Sequence, residues 1–259
     1  MTTSLFPRTL GIDEAPSAPR PIPFSRLVGV EWAKATDTRA ARWLLALVAL
    51  STAGIMLVPV LAPTSFDQTD ASYLRVAALG LSILLPVVAI LMFTGEWSQR
   101  SIMTTFTQEP RRIRVLNAKL AVSMVLGGGA AVFGGVVTAA GLGLATASGR
   151  GLEADLTAGG IAGYLLFVVL NVLAGVALGA LLQSSATAIA ASFALPAAVA
   201  VLGTASTLVA DWIDMSTTWN WVLENDWAGH VPQISVSIVF WVAVPLAAGV
   251  VRTIRRDVA

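Results

Sequence analysis

Lys34 in WAKAT and Lys119 in NAKLA are the only lysines, His230 is the only histidine, and there is no cysteine. A lysine that clamps nucleotide phosphates belongs to a G-x-x-x-x-G-K-[ST] loop, and neither does, so this chain has no such means of using ATP. Without cysteine there are no disulfides, thiolate nucleophiles or thiolate metal ligands, and a single histidine points away from a zinc site. A Ser–His hydrolase working inside a membrane needs a histidine within a span. His230 falls outside the expected spans and reads as an interfacial residue. We therefore expect no catalytic residue, no bound metal and no bound cofactor.

Polar chemistry is concentrated instead in GEWSQRSIMTTFTQEPRRIRVLNAKL, residues 95–120, with five basic and two acidic side chains between two apolar runs. Glu96 closes the preceding run, and residues 97–107 can form about three helical turns with an apolar face of Ile102, Met103 and Phe106. Pro110 ends that helix, because the residue before proline avoids the α region. Arg111, Arg112 and Arg114 lead into the next run. A topology-fixing loop lying on anionic lipid accounts for the arginines. A docking site for a cytosolic partner accounts equally well for an ordered, charge-braced helix.

The surrounding elements are those of a membrane. Hydrophobic residues make up 56% of the 259 and charged ones 12%, about half the usual soluble share. Mean hydropathy is +0.78. Residues 43–66, 76–95, 120–149 and 156–210 carry no charge, and 227–251 carry only His230. A helix needs roughly 20 apolar residues to cross a ~30 Å core. As one helix, 156–210 would be about 80 Å long, so it must fold back, and the polar cluster Gln183–Thr187 marks the turn. Six spans result: residues 43–61, 74–94, 120–146, 157–182, 188–210 and 233–251. The third run exceeds what a span needs, so its helix tilts or projects past the lipid.

All but two of the sixteen basic residues fall on one side of this six-span arrangement, Arg75 and Arg150 being the exceptions. The positive-inside rule then puts both termini in the cytosol. No expected span contains a carboxylate, arginine or lysine, which weighs against an ion-coupled pump. Asn171 is the deepest strongly polar side chain, readable as a helix–helix hydrogen bond or as a substrate contact. With Trp241 of the last run it forms the candidate pathway. Gly127–Gly129, Gly134-Gly135, Gly159-x-x-x-Gly163 and Gly175-x-x-x-Gly179 favour close helix packing. Pro86, Pro196 and Pro245 favour kinks.

Three further segments complete the domain organisation. Residues 1–21 read as a disordered tail. Residues 22–42 form an amphipathic interface helix with Phe24, Leu27, Val28, Trp32 and Ala35 on one face. Arg26, Glu31 and Lys34 lie away from the centre of that face. Glu31 can pair with Lys34, and Asp37 or Thr38 caps the following span. Within the transmembrane domain, 43–259, the outer segment 211–232 carries Trp212, Trp219, Trp221 and Trp227. It reads either as an aromatic anchor in the outer leaflet or as an outer gate.

The pattern G-E-x-x-x-x-S-I-x-T-T-x-x-x-x-P-R-R-x-x-x-L-x-A-K (Gly95, Glu96, Ser101, Ile102, Thr104, Thr105, Pro110, Arg111, Arg112, Leu116, Ala118, Lys119) resembles the permease subunits of ABC-2-type exporters. FSRLVGVEWAKATDTRAARW more loosely resembles the start of actinobacterial members. The resemblance spans residues 24–259 in architecture and about 45 residues in motif. It implies an all-α polytopic membrane protein with six transmembrane helices, an interface helix, a cytoplasmic coupling helix and outer re-entrant helices, as in type V ABC exporters. It implies a multi-pass plasma-membrane subunit that exports a hydrophobic or amphiphilic drug, lipid or peptide. Its partners would be two copies of a cytosolic ABC ATPase holding ATP and Mg, a second permease chain and membrane lipid, with no nucleic acid. Glu96, Arg100, Ile102, Met103, Phe106, Arg111 and Arg112 would carry coupling, and Phe24, Leu27, Val28, Glu31, Trp32 and Lys34 would form the second contact. A self-standing channel or ion-coupled carrier, and a non-transporting membrane scaffold, remain as alternatives.

Overall fold

In the computed structural model the described residues are 22–99 and 101–255. The tail assigned to 1–21, Arg100 and residues 256–259 lie outside them. Six helices are long and apolar enough to cross a membrane: α2 (Arg39–Leu61), α3 (Asp70–Ser98), α5 (Arg112–Ala147), α6 (Ala158–Leu182), α7 (Ser185–Gly203) and a last span, Val231–Arg255. Four shorter helices stand beside them: α1 (Phe24–Thr36), α4 (Ile102–Gln108), α8 (Thr207–Trp212) and α9 (Met215–Leu223).

Several boundaries differ from expectation. The interface helix expected over 22–42 ends at Thr36. Thr38 then caps α2, its hydroxyl accepting from the Ala41 N–H at 3.1 Å, so residues 39–42 belong to the first span. The helix expected over 97–107 is split, because α3 runs on to Ser98 and α4 has only seven residues. The fifth span stops at Gly203 rather than 210, and the remainder turns into α8. The turn expected at the polar cluster takes just two residues, with Gln183 in the left-handed region at φ 54°. At 36 residues, α5 is about 54 Å long and exceeds the bilayer core, as its sequence implied.

The last span consists of α10 (Val231–Ile238), a wide π turn (Val239–Ala243) and α11 (Val244–Arg255). Pro245 lacks the N–H that would pair with the Trp241 carbonyl, and the ladder shifts register just before it.

The core centres on α3 and α6, whose backbones touch. A Cβ on Gly175 would meet the Pro86 carbonyl oxygen, and one on Gly179 would come within 3.0–3.2 Å of Phe93 and Ile90. By contrast α7 buries only Ala188. At the acidic end of the bundle two loops interlock. The Asp70 carboxylate accepts from the N–H groups of Asp155 (2.9 Å) and Leu156 (2.8 Å), and Asp155 accepts from the Ala71 N–H at 3.2 Å. Arg150 there donates to the Pro59 and Val60 carbonyls at the end of α2.

Helices α8 and α9 form a hairpin whose depth can be measured against α6. A Cβ on Gly159, in the first turn of α6, would meet the Asn225 amide, and one on Gly163 would meet the Val222 carbonyl. Farther along, Trp219, Met215 and Ser216 share a cleft wall with Phe167 and Asn171. Asn171 is near the midpoint of α6, so the hairpin reaches from the acidic end of the bundle about halfway through it.

Candidate functional site: the basic end of the bundle

Four charges from three helices meet at the basic end. Lys34 Nζ lies 2.7 Å from Glu31 Oε1 and 2.6 Å from Glu96 Oε1. Lys119 Nζ lies 2.7 Å from Glu31 Oε2 and 3.0 Å from Glu96 Oε2. Its approach to Glu96 is an ion pair without the angle of a hydrogen bond. Lys119 also donates to the Met92 carbonyl at 3.1 Å. Acids and bases alternate around this ring, so it is neutral as a unit, which is what allows ionised groups to leave water. The side chains of Glu31 and Lys119 are 5% and 3% exposed.

The orientation of Glu31 is not the one its sequence position suggests, away from the centre of the apolar face of an interface helix. Instead Glu31 and Ala35 are the buried residues of that helix, while Phe24 and Trp32 are exposed and Leu27 and Val28 half-buried. Phe24 and Trp32 of the apolar stripe of α1 face outward, and its acid faces the bundle, where it pairs with Lys119. Lys119, just ahead of the expected span 120–146, falls in the third turn of α5 and is buried.

Lys34 sits at the rim. Burial acts to lower its pKa, but its hydrogen bonds to Glu31 and Glu96 outweigh that and hold it above the usual lysine value.

Glu96 also ties this ring to α4, since Thr105 Oγ1 donates to Glu96 Oε1 at 2.8 Å. Ile102 is buried beneath α4, and Phe106 packs edge-on against Trp97, with centroids 6.4 Å apart. Above Phe106 the Arg112 guanidinium lies 5.0 Å from the ring centroid, a cation–π contact. The same guanidinium donates to the Thr253 carbonyl at 2.7 Å and to that of Ile254 at 3.2 Å, at the end of the last span. Glu109, buried, pairs with Arg114 at 2.7 Å, and Arg114 reaches the Ile22 carbonyl ahead of α1 at 2.7 Å. Arg111 is exposed, as are Met103, Thr104, Thr107 and Gln108, which form the outward face of α4.

Among the coupling and interface-helix residues singled out in sequence, Glu31, Lys34 and Glu96 meet in the ring and Ile102, Phe106 and Arg112 brace α4, whereas Phe24 and Trp32 are exposed on α1 and Arg100 lies outside the described residues. Glu96 and Glu31 turn inward as braces, while Met103 and Arg111 face out. A cleft of about 360 Å³ opens between α1, α2 and α3 beside the ring. Sequence reading missed the role of Lys119 and the direction of Glu31. The available signal was a glutamate and a lysine each flanked by apolar neighbours.

The pathway candidates lie on the opposite side of the core. Asn171 is 5% exposed, and its amide donates to the Phe167 carbonyl of its own helix at 2.9 Å rather than to a neighbouring helix. The Trp241 indole donates to the Ile213 carbonyl at 2.7 Å and so pins the tip of the hairpin. The four tryptophans of residues 211–232 differ in environment. Trp219 is buried, Trp212 is exposed, Trp221 stacks on His230 at 3.8 Å, and Trp227 donates to the Val222 carbonyl at 3.0 Å.

Asp214, one of the acids of residues 211–232, is buried at the tip of the hairpin. There it caps α9, accepting from Ser216 and Thr217. Among the described residues no group of three or more His, Cys, Asp or Glu side chains is placed to hold a metal. No protein-family model, curated protein or solved structure matches this chain.

Proposed function

We propose that this chain is the membrane-spanning subunit of an ATP-driven exporter of the ABC-2 type, moving a hydrophobic or amphiphilic substrate with force supplied by a separate cytosolic ATPase. The observation that carries the reading is the mechanical linkage of α4. This seven-residue helix connects α3 to α5, is bonded through Thr105 and Glu96 to the ring that holds α1, and is clamped through Phe106 and Arg112 to the end of the last span. A displacement applied to its exposed face would be transmitted to α1, α3, α5 and the last span together. A loop that only fixes topology has no need of such bracing.

On this reading the basic end is cytosolic, α4 seats in the ATPase and α1 makes the second contact. The α8–α9 hairpin enters the membrane from the outer face as a re-entrant pair. ATP and Mg belong to the ATPase, two copies of which would work with two permease chains. Purification of the tagged chain from its native membrane, followed by mass spectrometry, tests this. A P-loop ATPase should co-purify and be lost on Met103→Glu, a surface change that leaves the ring untouched. Its absence from the wild-type preparation would overturn the proposal.

One observation favours a second reading. The carboxylate of Asp214, buried at half-depth, is a group that a carrier driven by an ion gradient would use. That reading predicts ion-dependent flux in vesicles containing this chain alone.

A further inference from the structure

A cleft of about 310 Å³ lies at half-depth between α3, α6, α7, the hairpin and the last span. Its walls include the aromatic rings of Phe167, Phe193, Trp219 and Trp241, and among the described residues no charged side chain lines it. Two walls repeat one sequence pattern: SILLP in α3 (82–86) and SFALP in α7 (192–196). In each the serine, the following apolar residue and the proline line the cleft. Each proline lacks the N–H that would pair with the carbonyl four residues earlier. The carbonyls thus released from the helix ladder belong to Ser82 and Ser192, both cleft residues.

The polar side chains reinforce this bias. Ser82 donates its hydroxyl proton to the Leu79 carbonyl at 2.8 Å, and Ser192 donates to the Ile189 carbonyl at 2.8 Å. The Asn171 amide donates to the Phe167 carbonyl, and Ser216 donates to the Asp214 carboxylate at 2.8 and 2.9 Å. The three hydroxyls and one Asn171 N–H are turned back into the protein, so the serine oxygens present lone pairs, while Asn171 keeps a second N–H. Asn220 retains its amide, and the unpartnered Trp219 indole N–H is closed to solvent. Immediately behind Ser216, the Asp214 carboxylate is paired with no Lys, Arg or His among the described residues. The N-terminus of α9 offsets part of that charge, and the remainder biases the cleft toward cations.

We propose that this cleft is a binding site for an organic cation with an aromatic or otherwise bulky apolar body, its charge held by aromatic faces and acceptor oxygens in front of Asp214. The volume matches a small drug-sized molecule, and aromatic walls with a few polar groups are the usual make-up of such a site. The inference deepens the exporter reading by naming a substrate class and rests on it only for the purpose of binding.

The test uses the full chain in nanodiscs of zwitterionic phosphatidylcholine without any ATPase, so failure here leaves docking through α4 standing, and the reverse. Tetraphenylphosphonium and tetraphenylborate have the same shape and opposite charge. Equilibrium dialysis against empty nanodiscs should show saturable binding of the phosphonium and none of the borate. Phe193→Ala removes an exposed ring, and Pro196→Ala restores the missing N–H. Each should weaken phosphonium binding by at least about tenfold. Equal retention of both ions, no phosphonium binding beyond empty discs, or a smaller effect of Phe193→Ala would each overturn the assignment. The first two outcomes are read on the unmodified chain, so misfolding of a variant cannot obscure them.

Discussion

Glu31 of α1 accepts a 2.7 Å hydrogen bond from Lys119 of α5, across 88 residues of sequence, with both side chains buried. Neither would be stable there alone. The contact holds a surface helix to the bundle largely by charge, since of its apolar stripe only Ala35 is buried and Phe24 and Trp32 are exposed.

Removing one member should therefore cost more than removing two. Lys119→Met leaves Glu31 and Glu96 facing Lys34 alone, and breaking such a buried pair costs about 3–5 kcal/mol. The double variant Glu31→Leu with Lys119→Met leaves the neutral Lys34–Glu96 pair and should recover most of that loss. Thermal unfolding of the single and double variants in detergent checks this. Additive destabilisation would show that the ring does not act as a neutral unit.

Lys34 makes the docking of α1 sensitive to alkali. Its folded-state pKa is raised above the ordinary value of 10.5, so its contribution is complete below that pH and is lost as the pH climbs through the folded value. With the side chain 41% exposed, solvent screening keeps the contribution small. The chain has no native cysteine, so spin labels at Val30→Cys and Ile113→Cys report the α1–α5 separation without background. The distance should broaden in the alkaline range, and Lys34→Met should remove the transition.

The six spans were legible because length and apolarity are local properties, and the Gln183 turn was legible because polar groups need water or partners. What meets across helices is not local. The Glu31–Lys34 pairing at i, i+3 could be foreseen, but not that Lys119 would draw Glu31 inward, because that depends on the rotation of α1 against α5. Four tryptophans marked residues 211–232 as unusual, yet the depth of the hairpin is set by backbone contacts at Gly159 and Gly163 in another helix. Continuation of α3 through Trp97 and Ser98, which shortened α4, also depends on tertiary contacts: Ser98 Oγ hydrogen-bonds to Ser185 of α7.

Arg112 should matter for the rigidity of α4 more than for global stability. Arg112→Ala removes both the stacking on Phe106 and the bonds to the Thr253 and Ile254 carbonyls, while the charged ring is intact. Amide hydrogen exchange over residues 102–108 should speed up several-fold, with little change in unfolding temperature. Arg112→Lys keeps the charge but loses the planar fork, so it should give an intermediate rate. Unchanged exchange in the alanine variant would mean that the clamp does not hold the helix.

Two glycines separate packing from propensity. Gly175 faces the Pro86 carbonyl so closely that a methyl group has no room, and the obstacle is backbone, which cannot rotate aside. Gly128, in α5, has nothing within 4 Å of the same position. Gly175→Ala should force α3 and α6 apart and destabilise by about 1–3 kcal/mol, as overpacking does. Gly128→Ala should be neutral or should stabilise by about 0.5–1 kcal/mol through helix propensity alone. Unfolding temperatures measured side by side decide it. If both changes proved equally harmless, the α3–α6 backbone contact could not be the axis on which the core is built.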